Sequence, residues 1–314
     1  MNHFCSIKDI ENIKSLIEDA QKLQANPWAF KNIGLQKTLL LLFYNSSLRT
    51  HLSTEIAAQR LGLSVITKNM STAWNIELKE GAVMDQQNAE HIKDAAGVVG
   101  SYADLLAVRA FPSLKDKSID YSEPIINAYQ KYAGIPLLNL ESGARHPLQA
   151  LADMISIESL KKKSKPKVVL SWAPHPKVLP QSVANSFAAF NNAMDYDVHV
   201  CHPEGYALDV EFVKDAKIHH NQEEAFKDAD FIYAKNWSST EQYGTNNFND
   251  KDWMIDEEKM ALTNDGKFMH CLPVRRNVVV SDKVIDSKNS ITQIQAANRI
   301  IAAQIVLKKI LENG

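Results

Sequence analysis

The sequence predicts an α/β protein made of two doubly wound parallel-sheet domains joined by helices. Three observations predict it. Short runs that are apolar on both faces, such as 38–44 (TLLLLFY), suit strands buried inside a parallel sheet. The stretches between them are long enough for helices, and the same alternation restarts after a lysine-rich break at 161–167. A chain of 314 residues with 45% hydrophobic and 23% charged residues is ordinary globular material, too long for one small core. The expected division is 1–150, completed by a C-terminal helix over 295–314, and a second domain over 151–294.

In chain order, a first helix is expected from Ser6 as N-cap, because Ile7, Ile10, Ile13 and Ile17 recur at helical spacing before Asn26-Pro27 stops it. The strand at 38–44 follows, then a helix over 48–61 closed by Gly62. Apolar runs at 65–66, 105–108 and 137–140 continue the first sheet, and 146–162 reads as a connecting helix. Strands at 168–172, 196–201, 231–234 and 268–271 make the second sheet. Ala302, Ile305, Val306 and Ile310 form the apolar stripe of a final helix.

Composition narrows the function. A formal charge of -2 and a pI near 6.6 provide no global field for nucleic acid or an anionic membrane, so any anion site must be local. No basic-then-apolar leader opens the chain and no run reaches the ~20 apolar residues that span a bilayer, so the chain reads as cytoplasmic. Cys5, Cys201 and Cys271 lack paired spacing and are expected as free thiols.

The most informative segment is Asn45-Ser46-Ser47-Leu48-Arg49-Thr50, where a buried strand turns into a helix. A helix N-terminus leaves backbone N–H groups unpaired and its dipole favours an anion; Ser47, Arg49 and Thr50 add donors, which suits a phosphate. The same residues would also serve as a plain helix cap with Arg49 in solvent. Arg109 and His146-Pro147-Leu148-Gln149 follow strand runs, and so fall at the carboxyl ends where open α/β sheets bind ligands. His270-Cys271-Leu272-Pro273, His175, Lys235, Arg275 and Arg299 occupy comparable loop positions in the second half, though each alone could be a solvated side chain. His199, Cys201 and His202, with His219 and His220 nearby, do not converge as metal ligands, because strand alternation separates them. Walker-type, G-x-G-x-x-G and G-x-S-x-G patterns are absent, which disfavours a bound nucleotide and a serine hydrolase.

Together, Ser47-Leu48-Arg49-Thr50, Arg109, the H-P-L-Q at 146–149, the H-C-L-P at 270–273 and Arg299 resemble the aspartate/ornithine carbamoyltransferase family, in its order and across nearly the whole chain. The resemblance implies that Ser47, Leu48, Arg49, Thr50, Arg109, His146, Gln149, Cys271, Leu272 and Arg299 hold carbamoyl phosphate. Arg109, His146 and Cys271 would carry the catalysis, with no cofactor or metal. Leu48 stands where the family usually has threonine, which leaves only its backbone N–H as donor.

H-C-L-P resembles the ornithine branch rather than the aspartate branch. The D-x-x-x-S-M-G motif that grips a free α-amine there is missing, and Asp230 is followed by Phe-Ile-Tyr-Ala-Lys235-Asn-Trp. A lysine suits a carboxylate and not an ammonium group, so the acceptor's α-amine is expected to be acylated. Trp74, Glu141, His175 and the segment around Lys235 are similar to the N-acylornithine branch. This implies Glu141, His175, Lys235 and Arg275 on the acceptor, and a homotrimer in which Trp74 reaches a neighbour's carbamoyl phosphate site. Ala89 stands where acetyl-type relatives tend to carry glutamate and succinyl-type relatives proline. It favours a succinyl over an acetyl group, since no negative charge there repels a second carboxylate. An acetylated acceptor, free ornithine, aspartate and a non-catalytic carbamoyl phosphate binder remain the alternatives.

Overall fold

The computed structural model describes residues 1–245 and 251–313. Ser6 does cap, but only the short 3-10 turn Ile7–Asp9; the helix proper, α1 (Ile13–Ala25), starts a turn later under Asn12, whose side chain accepts the Ser15 N–H. Asp9 closes a reciprocal capping box on Ser6, and the turn stops at Ile10, whose backbone is extended.

The first sheet has the order β2 (Ser64–Asn69), β1 (Thr38–Phe43), β5 (Leu105–Arg109), β6 (Leu137–Glu141), every pairing parallel. Because side chains alternate along a strand, Leu39, Leu41, Phe43, Leu105, Ala107, Leu138 and Leu140 join one core, with α1, α2 (Leu48–Arg60), α6 (Pro147–Leu160) and α12 (Thr292–Asn313). Leu40, Leu42, Leu106, Val108 and Leu137 join another, under α3 (Ile92–Tyr102) and α5 (Pro124–Tyr132). The apolar run at 38–44 thus needs both faces because it fills two cores. β2 is different: it is an edge strand with most of its length exposed, Ile66 included. The small ribbon β3 (Ile76–Glu77) and β4 (Glu90–His91) and the helix α4 (Lys117–Tyr121) decorate this half.

The second sheet, also wholly parallel, has the order β11 (Lys267–Met269), β10 (Phe231–Lys235), β7 (Lys167–Trp172), β8 (Asp197–Cys201), β9 (Lys217–His219). α7 (Ser182–Ala193), α8 (Val210–Val213), α9 (Gln222–Phe226), α10 (Glu257–Ala261) and α11 (Asp282–Ile285) surround it. The sequence reading missed β9, three residues with little apolar content.

The expected division at 150/151 falls inside α6, which starts with Pro147 at its first turn and is buried nearly throughout. The chain changes sheets after that helix, across 161–166. α12 packs on α1, α2 and α6, returning the C-terminus to the first half. One continuous core runs through α6 and α12 from sheet to sheet.

Strand order determines where a site can form. From β1 the chain steps outward to β2 and then crosses to the other side of β1 as β5; from β7 it runs out to β9 and crosses back as β10. Each reversal opens a crevice at the carboxyl ends of the two flanking strands. In the first sheet those ends are Phe43 and Arg109, and in the second Trp172 and Lys235.

Candidate active site

The two crevices face one cleft of about 580 Å³. The first sheet contributes the start of α2, with Ser46, Ser47, Leu48, Arg49 and Thr50, and the strand ends Arg109 and Glu141. α6 adds His146 and Gln149, and α12 adds Arg299. From the second sheet come His175, Lys235, Cys271, Leu272 and Arg275. All the sequence-derived site residues therefore converge except Trp74, which is 63% exposed and lines a separate apolar hollow beside β2.

Local geometry explains the convergence. Ser47 caps α2 through the Thr50 N–H, and the Asn45 side chain accepts the Phe111 N–H at 2.6 Å, tying the loop after β1 to the loop after β5. The Arg109 guanidinium lies 4.3 Å from the centroid of the Phe111 ring. In the second sheet the Asn236 amide donates to the Ala173 carbonyl at 2.8 Å, which joins the loops after β7 and β10. His270 Nδ1 accepts the Leu272 N–H at 2.9 Å, so the neutral ring carries its proton on Nε2 and folds the loop back on itself. Leu272 has φ 55°, and the Leu272–Pro273 bond is cis.

Among the described residues the lining is strongly cationic: Arg49, Arg109, Lys177, Lys235, Arg275 and Arg299 against the single carboxylate of Glu141. Arg109 Nη1 takes that carboxylate, the His146 Nε2 lies 3.5 Å from it, and Ser182 Oγ at the start of α7 donates to its other oxygen at 2.9 Å. The remaining cations have no acid of their own among the described lining residues. The Nε atoms of Arg49 and Arg109 are buried without a hydrogen-bond partner. Buried donors of this kind are costly unless a ligand satisfies them.

Burial sets the protonation states. Desolvation, reinforced by Arg299, Arg109 and Lys235, outweighs Glu141 and depresses the His146 imidazole to about 3, so it is neutral near pH 7. Burial pushes the Cys271 thiol up, with Lys235 and Arg299 opposing and Asp153 and Glu141 reinforcing. Cys271 is consequently a neutral thiol and not a thiolate base. Glu141 is pushed up by burial, but Arg109, His146, Ser182 and Lys235 together hold it below the usual carboxylate range.

Several lining residues escaped the sequence reading: Phe111, Lys177, Leu179, Pro180, Val183 and Val274. Lys177 alone had an available signal, two residues beyond His175 in the same loop. Arg276, by contrast, is held by Asp282 and Asp286 outside the cleft. The histidines around β8 form two pairs, His199 with His219 and His202 with His220. Among the described residues no group of three or more His, Cys, Asp or Glu is arranged to hold a metal, and all three cysteines are free.

Fold and cleft together define a class: a parallel α/β protein whose two sheets turn their reversal points toward one cationic cleft suited to anions. The description "Aspartate/ornithine carbamoyltransferase, carbamoyl-P binding domain" matches residues 2–159, and "Aspartate/ornithine carbamoyltransferase, Asp/Orn binding domain" matches 180–310. The chain belongs to the aspartate/ornithine carbamoyltransferase family, and it is a carbamoyltransferase.

It is 46% identical over 315 residues to N-succinylornithine carbamoyltransferase of Bacteroides thetaiotaomicron, covering 99% of both chains. It is 33% identical to N-acetylornithine carbamoyltransferase of Xylella fastidiosa, covering 98% of both. A crystal structure of an N-acetyl-L-ornithine transcarbamylase variant complexed with PALAO superimposes with a TM-score of 0.93 at 32% identity, covering 99% of this chain and all of that one. Another variant of that enzyme, with one glutamate replaced by alanine and complexed with carbamyl phosphate and N-succinyl-L-norvaline, superimposes at 0.90 with the same identity and coverage.

Proposed function

We propose that this enzyme transfers the carbamoyl group of carbamoyl phosphate to the δ-amine of N-succinyl-L-ornithine, giving N-succinyl-L-citrulline and phosphate in cytoplasmic arginine biosynthesis. The observation that carries the acceptor assignment is Lys235, buried at the end of β10 in the acceptor half of the cleft. An ammonium group would be repelled there, whereas a carboxylate is attracted. An acceptor with two carboxylates and no free α-amine matches a wall that also presents Arg275 and Lys177.

Ala89 supports succinyl over acetyl: its N–H donates to the Asn75 carbonyl, so it belongs to the same loop as Trp74 and leaves that loop without a carboxylate at this position. Variants of N-acetyl-L-ornithine transcarbamylase with one glutamate replaced by alanine, proline, valine or serine are seen with N-succinyl-L-norvaline. That parallel favours the same acceptor class here.

In this reading the phosphate of carbamoyl phosphate sits on the N-terminus of α2, held by Ser47, the Leu48 N–H, Arg49, Thr50 and Arg109. Arg109, Thr50 and neutral His146 polarise the carbamoyl oxygen, while Gln149 and the Leu272 carbonyl accept from the carbamoyl NH₂. Arg299 faces the same substrate. Glu141, His175, Lys235 and Arg275 hold the acceptor, and Cys271 contacts the δ-amine as a neutral thiol. The neutral amine attacks the carbamoyl carbon, an N–C bond forms, the C–O bond to phosphate breaks, and the amine proton leaves with the phosphate. Preorganised cations stabilise charge moving onto the departing oxygen, and juxtaposition of two bound reactants lowers the entropic barrier.

Trp74 acts on a neighbouring subunit's carbamoyl phosphate in a homotrimer. Its exposure, with Ile66, Val98 and Tyr102 around an apolar hollow of about 460 Å³, suits a surface that another subunit covers.

The test is phosphate release from carbamoyl phosphate with N-succinyl-L-ornithine, N-acetyl-L-ornithine, L-ornithine and L-aspartate offered in parallel. A preference for the succinyl compound is expected. Preference for another acceptor would overturn the substrate assignment, and release with none would point to a carbamoyl phosphate-binding protein.

A further inference from the structure

Behind the cleft, where α6, α12 and β10 meet, lies a carboxylate that the mechanism above does not use. Asp153 is on α6, one turn after Gln149, and is fully buried. Its Oδ1 accepts two amide N–H groups, from Gln149 Nε2 at 2.8 Å and from Gln295 Nε2 at 2.9 Å. The opposite ends of those two amides go to the two sides of the active site. Gln149 Oε1 accepts from Arg299 Nη1, and Arg299 Nη2 donates to Thr50 Oγ1 at 2.6 Å. Gln295 Oε1 accepts the backbone N–H of His270 at 3.0 Å, the residue that opens the His270–Pro273 loop.

We propose that Asp153 is a positioning residue: it dictates the orientation of the Gln149 amide toward carbamoyl phosphate and, through Gln295, anchors the loop that carries Cys271 and Leu272. The reason is the chemistry of an acceptor. A side-chain amide has a donor end and an acceptor end, and an oxygen that only accepts can face only the donor end. Two amides that both present NH₂ to Oδ1 must therefore turn their oxygens away from it. Gln149 Oε1 is left aimed at Arg299 and the cleft, where it can accept from the carbamoyl NH₂; this half rests on the functional reading above. Gln295 Oε1 is left to hold the His270 N–H. Burial pushes the Asp153 carboxyl up to about 7, yet a proton on Oδ2 would leave Oδ1 an acceptor, so the orientation survives either state. The Tyr233 hydroxyl lies against Asp153 and Cys271, and neither it nor Oδ2 touches the two glutamine amides. The orientation of the two amides thus depends on Oδ1, the oxygen both of them reach.

The test compares Asp153→Asn, whose amide oxygen can replace Oδ1, with Asp153→Leu, which has similar size and no acceptor. With full-length enzyme, carbamoyl phosphate and N-succinyl-L-ornithine, Asp153→Leu should raise the KM for carbamoyl phosphate at least tenfold, and Asp153→Asn should recover most of that. In a Gln149→Ala background the step from Asp to Leu should change this KM less than twofold, because the amide it orients is gone. An equal loss in that background, or a lower Tm with wild-type KM values, overturns the proposal. Should Asp153→Leu fail to fold, Asp153→Ser replaces it in the same cycle. The loop is read without turnover: Gln295→Leu should speed alkylation of Cys271 by iodoacetamide severalfold, and an unchanged rate refutes the anchoring. Parent enzyme that shows no phosphate release defeats the functional reading itself, whereas active parent with insensitive variants defeats this inference alone.

Discussion

Removing Arg109 separates two roles that the fold has merged. Its guanidinium is assigned to the phosphate and the carbamoyl oxygen, but in the structure it pairs with Glu141, with both side chains under 10% exposed. Arg109→Ala therefore does more than delete a catalytic charge: it leaves a buried carboxylate whose closest partners are Ser182 and neutral His146, with Lys235, Arg49 and Arg299 farther off. Deleting one member of a buried ion pair costs about 3–5 kcal/mol. The double variant Arg109→Ala/Glu141→Gln removes the stranded charge and should recover about half of that or more, while neither variant regains turnover.

The dependence on pH has a definite sign. In the parent, Arg109 and its companions hold the Glu141 carboxyl low, so its stabilising contribution is present above the unfolded value of about 4.3 and is lost as pH falls through the folded value. In Arg109→Ala burial dominates, the folded pKa rises above the unfolded one, and the penalty grows as pH climbs from about 4.3. The deficit relative to the parent should then be largest near pH 7 and shrink toward pH 4.5. Urea denaturation at several pH values and phosphate release measure both quantities. A single variant as stable as the parent at pH 7, or a double variant with restored activity, would refute the reasoning.

Two further outcomes are expected. His146 and His270 are both depressed to about 3 by burial, so each folds as a neutral ring and the unfolded chain binds its proton first as pH drops below about 6.5. Each should subtract about 1.4 kcal/mol of stability per pH unit between pH 6.5 and 3; urea melts of His270→Gln should show a slope shallower by that amount, and an unchanged slope would contradict the burial argument. Trp74→Ala should leave the Tm within a degree or two, because the indole is exposed and its one polar contact is the Nε1–H to Glu90 at 2.9 Å, yet should abolish turnover. Mixing and reassembling it with an inactive Arg49→Ala chain should restore part of the activity; no recovery would mean that sites are not shared between subunits.

Much of this protein is legible along the chain. The run at 38–44 announces a strand buried on both faces, Pro147 marks a helix start, and the small hydroxyl residues before Leu48 mark an N-terminus fit for an anion. These are local signals, set by side-chain shape, backbone freedom and periodicity, so they survive without knowledge of neighbours. Many cleft residues were readable for the same reason: they stand at or just beyond strand ends, which a parallel sheet delivers to one edge, whereas Arg299, inside α12, was assigned to the site only by the family resemblance.

Tertiary structure decided what those residues are to one another. No local pattern reveals that Arg109 pairs with Glu141, that Asp153 holds an amide 142 residues away in the chain, or that β2 is an exposed edge although Val65 and Ile66 read as core. Nor could spacing show that Trp74 faces away from its own cleft, or that Cys271 is a neutral thiol. Protonation, pairing and burial depend on which groups are brought within a few ångströms in a low-dielectric interior, and that is a property of strand order and helix packing, not of sequence separation.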